Sequence, residues 1–397
     1  MAKEVCAEED VQVREVRLMQ KQISIPAMAV VLILILLISS ACCVNLDELL
    51  KEIEQEKTIN IGTTPSTENE EENDYSHIKP GLARTGGFEI FYEDENKFNT
   101  FLEENCSGEK IEKAKLMLDE LKKNFPKGYF VIAKSTIFFL EDNKDFAIQS
   151  FNAFGADFTV LDMSTLVHED IHALSFWPAV RIYGFSKKDF DKTILNPNRG
   201  TLNQIYLISD FGVWLKKDRA LFQRAEIYED IENPDDFDNT YLIKEGSKEA
   251  DIFGILDEIN AYTGTVQTAI ALEDLMEQGT SYSARYGLLK QMMHLELYLK
   301  RANEKHPKDW EYITKNTGLS FFIMKLWEQA ARFENYVKDD HRFNLNSQPI
   351  ADFIYDPLNY SIMDKLFTES GVAELKSKSF EDVELDGYKI YYVEQPE

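Results

Sequence analysis

Residues 165–177, TLVHEDIHALSFW, set His168 and His172 four positions apart with Glu169 beside the first. In an α-helix, residues at that spacing are turned by only about 40° and their Cβ atoms lie roughly 5–6 Å apart. Two imidazoles so placed can reach one zinc ion, each at about 2.0–2.1 Å. Glu169 is turned about 100° from His168, too far round to be the natural third ligand but well placed beside a metal-bound water. Zinc lowers the pKa of such a water to about 7, and a neighbouring carboxylate can take its proton during attack on a carbonyl. A single turn thus carries two ligands and a base. Asp170 points about 200° away from His168, opposite the metal, and needs a partner of its own.

The element that presents these groups reads as a buried helix. Leu166, Val167, Ile171, Leu174 and Phe176 occupy its other faces, cap-type residues stand at Asp162, Ser164 and Thr165, and Pro178 marks its expected end. Two histidines and a carboxylate inside an apolar helix are costly without partners, and a metal is a natural one; a buried cluster satisfied by hydrogen bonds is the alternative. Ahead of the helix, FEIFYE (Phe88–Glu93), GYFVIA, STIFFLED and ADFTVLD (Ala156–Asp162) read as strands, and EKIEKAKLMLDELKKNFP as a helix ending at Pro126. From Pro178 to about Ser379 the pattern is mainly helical, with ENPDDFDN as a loop. DVELDGYKIYYVE then reads as a hairpin around Asp386–Gly387. The expected fold class is α+β: a small N-terminal sheet with helices, a mainly helical part, and a C-terminal β-hairpin.

TLVHEDIHALS resembles the active-site helix of the zincin metallopeptidases, whose domains follow a small sheet with that helix and a mostly helical second half. Zincins usually keep the two middle positions of the motif uncharged, and Asp170 departs from that. In metzincins the third ligand is a histidine six residues beyond the second, and here that position is Pro178. The resemblance is therefore to gluzincins, in which a glutamate on a later helix completes the site. Glu258–Ile–Asn–Ala261–Tyr262 resembles the gluzincin string Glu-x-x-Ala-Asp, whose first residue binds zinc. Gly254, Ala261, Thr265 and Ala269 give that helix a small-residue face, which leaves the Glu258 carboxylate room to reach inward. Tyr262 replaces the aspartate that orients a ligating histidine, with Asp257 or Asn260 as substitutes. Glu273 and Glu277 are other glutamates on the same long segment. Tyr241, Tyr262, Tyr282, Tyr286 and His294 are the donors available to a developing oxyanion. His77, His306 and His341 sit in polar surroundings and read as exposed.

The formal net charge of -27 over 397 residues argues against a nucleic-acid partner, since nothing here would draw in a polyanion. Ile23–Val44 carries no charge along its whole length, enough to cross a bilayer. Arg14, Arg17 and Lys21 precede it and acidic residues follow, so the positive-inside rule keeps residues 1–22 in the cytoplasm and exports the rest. The run Ile38–Ser–Ser–Ala–Cys42 resembles the lipobox of bacterial lipoproteins, in which the cysteine is lipidated, although Ser39 stands where that family has an aliphatic residue. A lipid anchor on Cys42, a retained helix and a cleaved signal all place the remainder outside the cytoplasm. Residues 45–85, poor in large apolar side chains, read as a disordered acidic tether, and 86–397 as the zincin-like catalytic domain. With only Cys106 in the exported part, neither a disulfide framework nor a cysteine-ligated metal is available. The expectation is an exported, membrane-tethered zinc metallopeptidase acting on peptide or protein substrates. It holds Zn2+ through His168, His172 and Glu258 and uses Glu169 as general base. The alternative is an envelope-anchored binding protein on the same scaffold.

Overall fold

Pro126, expected to end a helix, instead begins one that runs through GYFVIA and STIFFLED, which were expected to be strands, and that sets the architecture. In the computed structural model the described residues are 92–142, 157–182, 205–276 and 283–392, with a few short interruptions and isolated residues between 147 and 155. All belong to one compact unit. The first helices are α1 (Tyr92–Asn105), α2 (Glu109–Asn124), α3 (Pro126–Asp142) and α4 (Val160–Ile182). They are followed by α5 (Ile252–Ala271), α6 (Ala284–Lys305), α7 (Pro307–Lys315), α8 (Thr317–Val337), α9 (Gln348–Ile354) and α10 (Pro357–Glu369). Three strands of four, five and five residues, β1 (Ile205–Ile208), β2 (Phe211–Leu215) and β3 (Tyr388–Tyr392), form a small antiparallel ribbon in that order.

The α+β expectation is therefore corrected: the described residues are mainly helical, and no N-terminal sheet is found among them. GYFVIA and STIFFLED are one continuous helix, α3. Phe130, Val131, Ile132, Ala133 and Ser135 are all fully buried, so a nearly unbroken apolar run packs on every side. Such runs carry no period that separates a buried strand from a buried helix. Proline at the first helical turn, where its missing N–H costs nothing, was the local signal for helix.

ADFTVLD is likewise not a strand. Thr159 and Asp162 form a reciprocal cap: the Asp162 amide donates to Thr159 Oγ1 at 3.1 Å, and the Thr159 amide donates to Asp162 Oδ2 at 3.0 Å. Helix α4 thus begins at Val160 and continues past Pro178, beyond its expected end. Of FEIFYE, Tyr92 and Glu93 open α1, and the rest lies outside the described residues. The C-terminal hairpin is also corrected. Tyr388–Tyr392 is a strand, but its partner is β2, from Phe211↔Tyr392 to Leu215↔Tyr388, and residues 381–386 are turns and coil. β1 and β2 themselves arise inside the stretch that reads as helical. The expected cytoplasmic segment 1–22, Ile23–Val44, the tether 45–85 and Cys42 lie outside the described residues. Among those described, no helix is long and apolar enough to cross a membrane.

Helix α5 is the centre of the fold, packed against α4, α6 and α8. Asp251 caps its start by accepting from the Phe253 amide at 3.2 Å. Ile255, Leu256 and Ile259 are fully buried, each worth about 1.5–3 kcal/mol of apolar burial. Gly264 lets α4 come close: a Cβ there would lie 2.3 Å from Ile171 Cδ1. His168 meets Thr265 while His172 meets Asp257, so the two helices run antiparallel with their polar faces in register.

Candidate metal centre

The three ligands expected from sequence converge. His168 Nε2 and His172 Nε2 are 3.2 Å apart, and Glu258 Oε2 lies 3.7 Å from the first and 3.4 Å from the second. Donors at two corners of a tetrahedron around zinc, each bonded at about 2.0–2.1 Å, are separated by about 3.3 Å. The same three atoms therefore sit at the mutual distances that a shared ion requires. Glu258 Oε2 is buried and makes no hydrogen bond of its own. A buried carboxylate oxygen aimed at two imidazole nitrogens without a hydrogen bond fits a site built for a cation.

The outward-facing nitrogens are held as well. His172 Nδ1 is 2.7 Å from Asp257 Oδ2, and His168 Nδ1 is 3.1 Å from Thr265 Oγ1. Thr265 also donates to the Ala261 carbonyl at 3.1 Å, so its hydroxyl is tied to the backbone of the helix that carries Glu258. Second contacts of this kind fix ring orientation and leave Nε2 free to ligate. Asp257, not Asn260, takes the orienting place left by Tyr262; both polar atoms of the buried Asn260 side chain lack a hydrogen bond.

The charges of the cluster are interlocked. Burial opposes a proton on His172, but Asp257 and Glu258 outweigh it and raise its pKa well above the usual value. Burial, with the charge of His172, lowers His168 to about 3 against the pull of Glu258. Burial alone would raise Glu258; His172, His168 and Arg224 bring it down to about 2. Burial pushes Glu169 up to about 7, with His172 lowering it and Glu258 adding to the rise. In this arrangement a proton on His172 supplies the positive charge that a metal ion would replace.

Asp170, on the far side of α4, accepts from Ser135 Oγ of α3 at 2.7 Å, the partner its direction required. Of the donors considered for the oxyanion, Tyr241 and Tyr262 share a hydroxyl hydrogen bond of 2.7 Å, and the Tyr262 ring lies 4.6 Å from that of His168, edge to face. Tyr262 is seated against Gly287 of α6, where a Cβ would fall 2.1 Å from its Cε1. Tyr241 lies on a single π-helical turn, Asn239–Ile243, an irregularity common near functional groups. Tyr286 instead donates to Asp235, and His294 is buried against Asp238 at 2.8 Å. His306 stacks on Phe222 and bonds Glu226 at 2.9 Å, so it is not simply exposed; the side chain of His341 is 92% exposed. Glu273 lies in the turn after α5, while Tyr282, Glu277 and His77 fall outside the described residues.

Arg224 is the group the sequence did not announce. It begins a short 3-10 turn (Arg224–Asp230) and is 5% exposed, beside the first turn of α5. It lies against Gly254, where a Cβ would meet Ala250 Cβ at 2.8 Å and the guanidinium Nη1 at 3.3 Å. Comparison of the chain with family models, with curated proteins and with solved structures finds no match.

Proposed function

We propose that this chain is a zinc metallopeptidase tethered outside the cytoplasm by its N-terminal segment. The observation that carries the reading is the set of three donor atoms, His168 Nε2, His172 Nε2 and Glu258 Oε2, at 3.2–3.7 Å from one another. When bound there, zinc would supply Lewis-acid polarisation of a peptide carbonyl and a water acidified to a pKa of about 7.

The protein's own groups supply the rest. Glu169, half-buried beside the ligands and raised to about 7, takes the proton as the water oxygen adds to the carbonyl carbon. As the C–N bond breaks, Glu169 passes that proton to the leaving amine, so one water and one amide give a carboxylate and an ammonium. Tyr241 and Tyr262 are both held well above the usual phenol range, first by burial. They therefore stay neutral and able to donate to the developing oxyanion. Asp257 and Thr265 keep the two imidazoles aimed. Export rests on the uncharged Ile23–Val44 run and the basic residues before it.

The test uses the full chain in detergent. The expected result is one zinc per chain, lost or weakened in His172→Ala and Glu258→Ala, and retained in Glu169→Gln with peptide hydrolysis abolished. A well-folded parent that takes up no zinc when offered it overturns the reading.

A further inference from the structure

Among the described residues, the buried arginines are paired, with one exception. Arg285, 1% exposed, donates twice to Glu334, at 2.6 and 3.1 Å. Arg301 reaches Glu226, Glu229 and Asp230. Arg224 Nε donates to the Ser247 carbonyl at 2.9 Å, but neither terminal nitrogen donates to any protein group among the described residues, and no carboxylate lies within ion-pair distance. Glu258 and Asp257 act on this guanidinium only from beyond ion-pair distance, so a largely buried group with no ion pair of its own is open to an anion.

Its position says which anion. Nη1 lies 3.3 Å from where a Cβ of Gly254 would stand, and Gly254 is four residues before Glu258 on the same face of α5. Four residues rise about 6 Å along a helix. One extended residue spans about 3.3–3.6 Å, so a carboxylate at Arg224 lies one to two residues beyond a carbonyl held at the ligands. A neutral amide oxygen would give the guanidinium no ion pair; a chain terminus would.

We propose that Arg224 receives the carboxyl-terminal carboxylate of the substrate, so that the enzyme releases one or two residues from the carboxyl end of a peptide. This rests on the zinc-peptidase reading, and the bond broken is the one balanced above, with water as the sole co-reactant. A Cβ at Gly254 would meet Ala250 Cβ at 2.8 Å and Arg224 Nη1 at 3.3 Å, so the glycine serves the packing of Ala250 as well as the guanidinium.

The experiment measures equilibrium retention of two matched pools of N-acetylated pentapeptides, one with free and one with amidated carboxyl termini. The full chain carries Glu169→Gln to prevent turnover, and zinc content is read on the same samples. The free-acid pool should be retained at least tenfold better, with the preference lost in Arg224→Gln, partly kept in Arg224→Lys, and zinc content unchanged in both. With Glu169 restored, mass spectrometry of the fragments should show only one- or two-residue products from the carboxyl end. Equal retention of the pools, or a preference that survives Arg224→Gln, overturns the assignment. So does retention of amidated peptides that carry Asp or Glu near the end, which would make a side-chain carboxylate the ligand. Absence of zinc sinks the peptidase reading separately, because retention reports carboxylate binding whether or not hydrolysis follows.

Discussion

Replacing Gly287 or Gly264 by alanine should give different outcomes, although both lie inside helices and both gain about 0.8–1 kcal/mol of helix propensity. At Gly264 the new methyl would meet Ile171 Cδ1 at 2.3 Å, with the next atoms at 3.5 and 3.8 Å. Only the far end of a flexible side chain is in the way. A rotamer adjustment of about 0.5–1.5 kcal/mol relieves it, leaving a net change near zero. At Gly287 the methyl would meet three atoms of one rigid ring, Tyr262 Cε1, Cδ1 and Cζ, at 2.1, 2.6 and 2.7 Å. That ring cannot step aside cheaply. Its hydroxyl bonds Tyr241 at 2.7 Å and its edge lies against His168. Overpacking of this kind costs about 1–3 kcal/mol, and losing the hydroxyl bond about 0.5–1.5 more. After the propensity gain, Gly287→Ala should be destabilised by roughly 1–3 kcal/mol. The displaced ring presses on a proposed ligand, so zinc affinity should also fall about tenfold or more, the scale seen when groups behind a ligand are disturbed. Urea unfolding of the metal-free protein and competition for zinc against a chelator read the two effects. Two stable variants with parental zinc affinity would refute the account of how Tyr262 is seated.

Asp257→Asn should weaken zinc binding by about 10–100-fold without removing a ligand, since the imidazole of His172 loses the carboxylate that aims it; chelator competition measures this. Glu296 is 2% exposed with neither carboxylate oxygen hydrogen-bonded, and burial raises it from 4.5 to about 8. Between those values the folded state keeps a proton that the unfolded state releases. This contribution is fully present below pH 4.5 and is lost as pH rises to 8, about 3–5 kcal/mol in all. Glu296→Gln should therefore gain stability relative to the parent at pH 9 and little at pH 4, measured by chemical unfolding at both; an equal difference at the two would exclude a buried protonated Glu296. Glu334→Ala removes the carboxylate from Arg285, whose side chain is almost wholly buried, and should cost about 3–5 kcal/mol in the same assay.

The sequence by itself settled what is local. His168, Glu169 and His172 are related by helical spacing alone, and that relation holds wherever the helix packs. Glu258 was singled out by its resemblance to the gluzincin string and by a small-residue face of Gly254, Ala261, Thr265 and Ala269, of which Thr265 meets His168 of α4. Asp170 needed a partner on the far side of α4, and Ser135 provides it. Pairings across 85 to 97 residues were not legible. His172 with Asp257 and His168 with Thr265 depend on the antiparallel register of α4 and α5, which the packing of side chains fixes and no spacing within either helix encodes. The helix at 126–142 was misjudged because a fully buried run has no polar face to reveal its period. β3 found its partner in β2, not in the residues just before it, because strand pairing follows the surface available in the folded chain. Arg224 is the clearest case. A lone arginine beside glutamates in sequence resembles any solvated residue, and only the tertiary structure buries it without an ion pair beside the first turn of α5.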